Sequence, residues 1–368
     1  MNNDLSSYFE DPEFKEALEK YEGMVKNHTP AYFDADELTD IAEYYASKGR
    51  QIEAEAAIDF ALQLHPNDTD ALIFRARSLA MKGRLDEVYM VMDLIEDRSD
   101  REVRFLKADL LMEEKRMEEA DHVFEELAAY EEGKLETLID IILAYIDANQ
   151  EALAKKWIKH VGETYDLASL SQKNQKFRDL LCDFYITFNN PEAAIPLLQA
   201  TLDCYPYSIN HWNSLGKCYL STNDYEEAHE AIDFALAIDD SNAEALTLKA
   251  FCYQQSGELQ KSCDYYLRLA EQQENKTRAY LALAKTYFEM QDYTSSIYYI
   301  EALLDNKDAL SKYELSELYG DIALCHAALK HIGVGQASIR RSLELNENDP
   351  DTLIVAGRFF LMEAKACN

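Results

Sequence analysis

Pairs of compact residues recur along this chain at a regular spacing, and that spacing restricts the folds that the chain can adopt. The two members of each pair stand 12 residues apart, and successive first members follow in steps of 34, 32, 34, 40, 34, 34, 34 and 39 residues, with a last step of 34 to Gly357. The pairs are Ala42/Ala54, Ala76/Val88, Ala108/Ala120, Ile142/Ala154, Cys182/Ala194, Gly216/Ala228, Ala250/Ser262, Ala284/Ser296 and Ala323/Gly335. This series predicts similar units that bury their apolar faces by stacking on one another.

The stretch "WNSLGKCYLSTNDYEEA", residues 212–228, shows how one unit is built. In helical register its first apolar stripe consists of Trp212, Leu215, Gly216 and Tyr219, at positions i, i+3, i+4 and i+7. After a turn, a second stripe consists of Ala228, Ile232 and Ala235. Because Gly216 and Ala228 are small, two antiparallel helices can approach closely at this point while the aromatic residues fill the space on either side.

These features resemble the tetratricopeptide repeat (TPR) family, whose 34-residue helix–turn–helix units carry Trp, Leu-Gly, Tyr, Ala and Phe at such positions. The resemblance covers roughly residues 35 to 366, and the two long steps indicate short insertions near Ser169–Asn174 and Ser311–Leu315. It implies an all-α solenoid, a right-handed superhelix of stacked helix pairs with a concave groove lined by the first helix of each pair. We expect residues 1–34 to form an N-terminal tail and capping helix, residues 35–349 about nine repeats, and residues 350–368 a single C-terminal helix.

Both predicted end helices raise a question about what they cover. The N-terminal one, starting after Asp11 at Pro12, has a stripe of Phe14, Leu18, Tyr21 and Val25. We interpret it as a cap on the first repeat; the alternative is a segment that folds into the groove and blocks it. In the C-terminal one, Leu353, Ala356, Gly357 and Phe360 are expected to pack backward onto the preceding repeat, leaving part of Phe360 and Leu361 open.

Charge and composition bear on partners and compartment. The formal net charge of −33 makes nucleic acid and anionic membrane surfaces unfavourable partners, and no stretch is long and apolar enough to insert into a membrane. The N-terminal residues lack the pattern of a signal peptide, and seven scattered cysteines fit a reducing compartment. The sequence therefore predicts a cytoplasmic protein.

No sequence pattern predicts an enzyme, a cofactor or a metal site. "HEAID" at His229 lacks the second histidine of a zinc-protease helix, and "GVG" at Gly333–Gly335 is not followed by a phosphate-binding loop. Cys218, Cys252 and Cys325 each lie two residues beyond a small position, which predicts a packing role for them rather than a reactive thiol.

Residues one place after the packed positions point about 100° away from the stripe and should face the groove. In the repeats from Ile209 to Leu310, the candidate protein- or peptide-binding residues are Asn210, Asn213, Lys217, Phe251, Gln254, Arg278, Leu281, Lys285 and Phe288. In earlier repeats the corresponding positions are mostly acidic or mixed, and include Asp36, Thr39, Glu43, Asp70, Arg77, Glu102, Asp109, Glu136 and Leu143. The sequence thus predicts a groove that is acidic toward the N-terminus and mildly basic toward the C-terminal third.

Two functions fit this architecture. The first is a non-enzymatic scaffold that binds a peptide or protein segment in the groove. The second is a structural protein that associates with itself, as a homodimer for example, through its C-terminal end or outer face. The two-carboxylate clamp of chaperone-adaptor TPR proteins is not supported, because only Asn213 and Lys217 stand at its positions, in altered residue types.

Overall fold

The computed structural model describes residues 9, 11–27, 30–305 and 310–366. These residues form 21 α-helices and one short 3₁₀ turn, without a β-strand in the part of the chain described. None of the described helices is long and apolar enough to cross a membrane. The fold is therefore the all-α repeat solenoid that the sequence predicts.

The chain divides into two compact units, Met1–Thr164 and Tyr165–Asn368. The helices of the first unit are α1 (Pro12–Asn27), α2 (Ala35–Ser47), α3 (Gln51–Leu64), α4 (Thr69–Met81), α5 (Leu85–Met92), α6 (Arg101–Glu113), α7 (Met117–Tyr130), α8 (Leu135–Asp147) and α9 (Glu151–Thr164). Those of the second unit are α10 (Leu167–Lys173), α11 (Gln175–Thr187), α12 (Pro191–Cys204), α13 (Ile209–Thr222), α14 (Tyr225–Ile238), α15 (Ala243–Gln255), α16 (Leu259–Ala270), α17 (Lys276–Glu289), α18 (Tyr293–Leu304), α19 (Lys312–Ala328), α20 (Ile332–Leu345) and α21 (Pro350–Ala366). The division falls within the longest step of the repeat, between Ile142 and Cys182.

The paired small positions lie where the two helices of each pair meet. All nine pairs are buried. At one pair the approach is close enough for the Ser296 hydroxyl to donate a hydrogen bond to the Ala284 carbonyl oxygen, at 2.9 Å. At another, a methyl group added to Gly216 would lie 2.8 Å from Cγ1 of Ile232. The predicted packing role of these positions is confirmed.

The insertion before the fifth pair forms the short helix α10. Arg178 of α11, almost fully buried, donates hydrogen bonds from Nη1 to the carbonyl oxygens of Ser171 and Gln172 at 3.2 Å. Its Nε donates to the Thr201 hydroxyl of α12 at 2.8 Å. One buried guanidinium thus satisfies carbonyls at the end of α10, whose C-terminal dipole favours positive charge, and ties that helix to the next pair.

The N-terminal helix α1 packs against the first helix pair. Phe14, Ala17 and Tyr21 are buried, and Tyr21 contacts Phe33 with ring centroids 5.9 Å apart. The expected stripe is wrong at its end, because Val25 is exposed. The buried face of α1 thus consists of Phe14, Ala17 and Tyr21.

The last helix, α21, packs on the preceding pair with a different face from the one that the sequence predicts. Ala356 and Phe359 are buried, whereas Leu353 and Phe360 are about half exposed and Gly357 has no neighbouring atom within 4 Å of an added Cβ. The prediction that Leu353, Gly357 and Phe360 pack backward is therefore wrong. The face of α21 that packs on the preceding pair contains Ala356 and Phe359, and the Phe359 ring lies beside Gly335.

We predict that Gly335→Ala destabilises the second unit and that Gly357→Ala does not. A Cβ at residue 335 would lie 2.5 Å from the buried Phe359 ring and 3.2 Å from the Ala323 carbonyl oxygen, so overpacking should cost about 1–3 kcal/mol. At residue 357 the space is open, and relief from the low helix propensity of glycine should add about 0.5–1 kcal/mol. Urea unfolding of both variants measures the difference, and equal changes in unfolding free energy would contradict the packing described.

Candidate functional site

First helices of three successive pairs in the first unit, α4, α6 and α8, surround a hollow of about 630 Å³. It forms because residues one place after the packed positions, Arg77, Asp109 and Leu143, face the same side of the stack. The remaining lining residues come from α6, α8, their following turns and the start of α7: Glu102, Phe105, Met112, Glu113, Met117, Asp140, Ala144, Asp147 and Ala148. We call this hollow the first-unit groove.

The first-unit groove is acidic with an apolar floor. Its lining contains five carboxylates and one cation, Arg77, whose Nη2 donates to Glu102 Oε2 at 2.7 Å. Asp140 is paired with Arg101. Phe105, Met112 and Leu143 supply apolar surface between the charges. Such a lining suits a segment that offers both basic and apolar side chains.

Asp109 interacts with several other charged residues of the groove lining. Its carboxylate reaches solvent but is flanked by protein, and desolvation together with the charges of Glu113, Glu102 and Asp147 raises its pKa to about 6. Arg77 acts in the opposite direction. Asp109 therefore carries a negative charge at neutral pH that a cationic ligand would stabilise.

In the second unit, Asn213 is not available to a ligand. It is only 1% exposed, and its Nδ2 donates to Asn242 Oδ1 at 3.1 Å and to Glu244 Oε2 at 3.0 Å. The prediction that Asn213 displays its amide in the groove is wrong, because the start of α15 covers it. Its role in the structure is to hold Glu244.

The other candidates of the second unit remain near the surface, but several already have partners. Lys217 forms an ion pair with Glu244, and Lys285 lies 3.6 Å from Glu317. Gln254 donates to both carboxylate oxygens of Glu289 at 2.9 Å. The cations that suggested a mildly basic groove are thus largely compensated by glutamates of the next repeat.

The remaining candidates differ in exposure. Asn210, Arg278 and Phe251 are exposed, and Phe251 is 42% exposed despite its apolar ring. Leu281 and Phe288 are half-buried, and Phe288 packs edge-on against Tyr293 with centroids 5.4 Å apart. Exposed polar and aromatic side chains on successive first helices are compatible with a ligand, whereas the half-buried pair contributes mainly to the core.

Farther along the second unit, Asp321 of α19 resembles Asp109 in its environment. Burial and the charge of Glu317 raise its pKa to about 6, while Lys285 and Arg358 act in the opposite direction. Asp321 lines a small hollow of about 140 Å³ together with Ser316 and Val355. Groove carboxylates with raised pKa therefore occur in both units.

The recurring cysteines are packing residues. Cys218, Cys252 and Cys325 are all buried, and burial raises the pKa of the Cys218 and Cys325 thiols to about 11. A thiol with such a pKa is almost entirely protonated at neutral pH, so it is a poor nucleophile. No group of three or more potential metal ligands occurs among the described residues.

Sequence reasoning identified part of the first-unit groove and missed the rest. It placed Arg77, Asp109 and Leu143 on the correct side, but it omitted Glu113 and Asp147, which lie one helical turn beyond two of those residues. Extending the same face by four residues would have found both, since residues i and i+4 share a helix face.

Comparison with known proteins agrees with this architecture. The family model described as tetratricopeptide repeat matches residues 213–277. That segment begins within α13 and extends through α14, α15 and α16 to the start of α17, and the same small-residue spacing continues on both sides of it. Residues 213–277 therefore belong to the tetratricopeptide repeat family, and the helix pairs on both sides of them resemble it. Folds of this class are suited to protein–protein interaction.

Individual proteins are similar over part or most of the chain. A stretch of 191 residues is 26% identical to the formate-dependent nitrite reductase complex subunit NrfG of Escherichia coli O157:H7, covering 50% of this chain and 89% of that protein. A tetratricopeptide repeat protein from Parabacteroides merdae ATCC 43184 is 15% identical, with a TM-score of 0.46, covering 68% of this chain and 98% of that chain. A chain in the crystal structure of the APC/C hetero-tetramer Cut9–Hcn1 is 14% identical, with a TM-score of 0.45, covering 94% of this chain and 71% of that chain.

We predict that Asp109→Asn stabilises the protein at neutral pH and not at pH 4. The folded-state pKa of about 6 exceeds the ordinary value of 3.8, so the folded state binds more protons between these values and wild-type stability falls as pH rises from about 4 to 6. The gain should be below about 1 kcal/mol because solvent screens this carboxylate. Unfolding free energies at pH 4 and pH 7 measure it, and a difference independent of pH would contradict the assignment.

Proposed function

We propose that this protein is a non-enzymatic scaffold that holds a peptide or protein segment along the groove of its first helices. The first-unit groove carries the proposal: three successive helix pairs contribute to one hollow of about 630 Å³, a size typical of ligand sites. A groove that continues from pair to pair suits an extended or helical segment, because each pair adds a contact at a regular interval.

The lining indicates the chemistry of the segment that would occupy the first-unit groove. Asp109, Glu113 and Asp147 offer negative charge beside the apolar side chains of Phe105 and Met112. A segment with lysine or arginine residues next to apolar ones fits this surface. The net charge of −33 would also speed the encounter with a basic partner.

In the second unit, the proposed contact residues are the exposed candidates Asn210, Phe251 and Arg278, together with Lys217 and Lys285. Because both lysines are paired with glutamates, a ligand carboxylate would have to replace an existing ion pair. We therefore expect affinity to come mainly from the first-unit groove. We also propose that the protein is cytoplasmic. The six cysteines among the described residues are free thiols, which a reducing compartment preserves.

Photo-crosslinking tests the groove directly. With p-benzoylphenylalanine in place of Phe105 or Phe251, we expect adducts with a partner protein in native cells. The same probe in place of the highly exposed Ile52 of α3, a second helix, should give none. Asp109→Lys should lower the adduct yield from position 105 at least about fivefold, since it reverses the central groove charge.

The matched control is Glu118→Lys, an equal charge reversal at an exposed position of α7 outside the groove lining. Adduct yields that fall equally in Asp109→Lys and Glu118→Lys would show a general charge effect. Adducts of equal yield from positions 52 and 105 would refute binding in the groove.

Self-association is the second candidate function, and the exposed side of α21 favours it. Leu353, Ile354, Phe360 and Leu361 are all between about half and two-thirds exposed. They surround Gly357, where a Cβ would meet no atom within 4 Å. An apolar helix face with a glycine at its centre suits close packing against another helix, including that of a second copy.

Light scattering after size-exclusion chromatography separates the two candidates. If self-association is the function, the wild type is a dimer and Phe360→Ser/Leu361→Ser is a monomer. The control Ile52→Ser/Met81→Ser, which removes two exposed apolar side chains of the first unit, should leave the dimer intact. A wild type that is monomeric at high micromolar concentration would rule out this second function.

A further inference from the structure

A second kind of hollow lies on the side of the second helices, outside the groove of the first helices. In the second unit it opens between α12 and α14, has α13 as its floor, and has a volume of about 480 Å³. We call it the aromatic hollow, because Trp212, Tyr219 and Phe234 line it. The proposed function in the first-helix groove does not involve it.

The aromatic rings are held in fixed positions. Trp212 stacks on Phe234 with ring centroids 4.5 Å apart and an interplanar angle of 18°. Nε1 of Trp212 donates to the Pro206 carbonyl oxygen at 2.8 Å, and Nε2 of Gln199 donates to the Tyr219 hydroxyl at 2.9 Å. Phe234 nevertheless leaves 54% of its surface exposed. The hollow thus presents an oriented, accessible aromatic surface.

Three carboxylates surround this surface, and no lining residue balances them. Asp203 comes from α12, and Glu227 and Glu230 come from α14. Among the described residues, no salt bridge involves any of the three. A cation placed in the hollow would meet both the negative faces of the rings and the carboxylates.

The first unit contains an equivalent hollow, in which the charges of the lining carboxylates are balanced by arginines of the chain itself. It lies between α3 and α5 over α4, has a volume of about 530 Å³, and its residues precede their counterparts by 140 positions. Asp59, Leu72 and Glu87 thus correspond to Gln199, Trp212 and Glu227.

In this counterpart of the aromatic hollow, between α3 and α5, two arginines of the chain supply positive charge. Arg75 forms an ion pair with Asp59, and Arg84 is paired with Glu87. The residue that corresponds to Arg75 in the aromatic hollow is Leu215, so no guanidinium lies at that position. The lining of the aromatic hollow also contains three carboxylates, whereas its counterpart contains two. The two hollows share geometry and differ in net lining charge, which is balanced in one and −3 in the other.

We propose that the aromatic hollow binds an arginine or lysine side chain of a partner protein. The cationic head would lie among Asp203, Glu227 and Glu230, as the guanidinium of Arg75 lies beside Asp59 in the first unit. Its alkyl stem would lie against Trp212 and Phe234, where aromatic faces attract the charge and cover the methylene groups. The site gives the protein a second contact with a basic partner, on the side of the second helices of its own unit.

Acrylamide quenching of tryptophan fluorescence tests this site in the full chain. The protein has two tryptophans, and Trp157 is only 2% exposed, so acrylamide reports mainly on Trp212. Titration with acetyl-Leu-Arg-Leu-amide should protect Trp212 from quenching. The peptide with citrulline in place of arginine, which has nearly the same shape and no charge, should not.

The variant Glu227→Gln/Glu230→Gln should raise the Kd of the arginine peptide about tenfold, because it removes two of the three carboxylates. Both side chains are exposed, so the fold should be retained. The control Glu226→Gln/Asp240→Asn removes the same charge from exposed positions outside the hollow and should leave the Kd unchanged within twofold.

Three results would overturn the proposal. Equal protection by the citrulline peptide would show that charge is not recognised. Equal loss of affinity in the control variant would show attraction to the acidic surface as a whole. Equal protection by argininamide alone would identify a small organic cation, rather than a protein segment, as the occupant.

Discussion

The close approach of two helices at a pair of small residues is the constraint on which the rest of the structure depends. Where Ser296 reaches the Ala284 carbonyl, or where Gly216 faces Ile232, there is no room for a larger side chain. This contact sets the rotation of both helices about their axes. The rotation in turn decides which residues enter the core, which face the groove and which face the outer side.

Both surfaces of interest follow from that rotation. Because first helices repeat in the same orientation, Arg77, Asp109 and Leu143 converge on one hollow although 32 and 34 residues separate them along the chain. The same repetition produces two outer hollows whose residues correspond at an interval of 140. The repeat thus maintains a geometry, and substitutions at exposed positions within it change the charge that each hollow offers.

Most of the fold could be predicted because the repeat is a local pattern, whereas the site could be predicted only in part. Rotation from the packed positions placed Asp109 correctly, since its direction depends on its own helix. It failed for Asn213, whose burial depends on Asn242 and Glu244 of the next pair. It also failed for α21, where Phe359 rather than Phe360 enters the core because Gly335 leaves space for that ring.

By itself, the sequence determined the class of fold, the pairing of helices and the position of the insertions, because each depends on residues within one 34-residue unit or on the steps between units. Only the tertiary structure decided which charges remain uncompensated. Lys217 and Lys285 look free along the chain but meet glutamates from the following repeat, whereas Glu227 and Glu230 meet no cation among the described residues. Ion pairing depends on distances between neighbouring units, and those distances are a property of the stacked helices rather than of any single repeat.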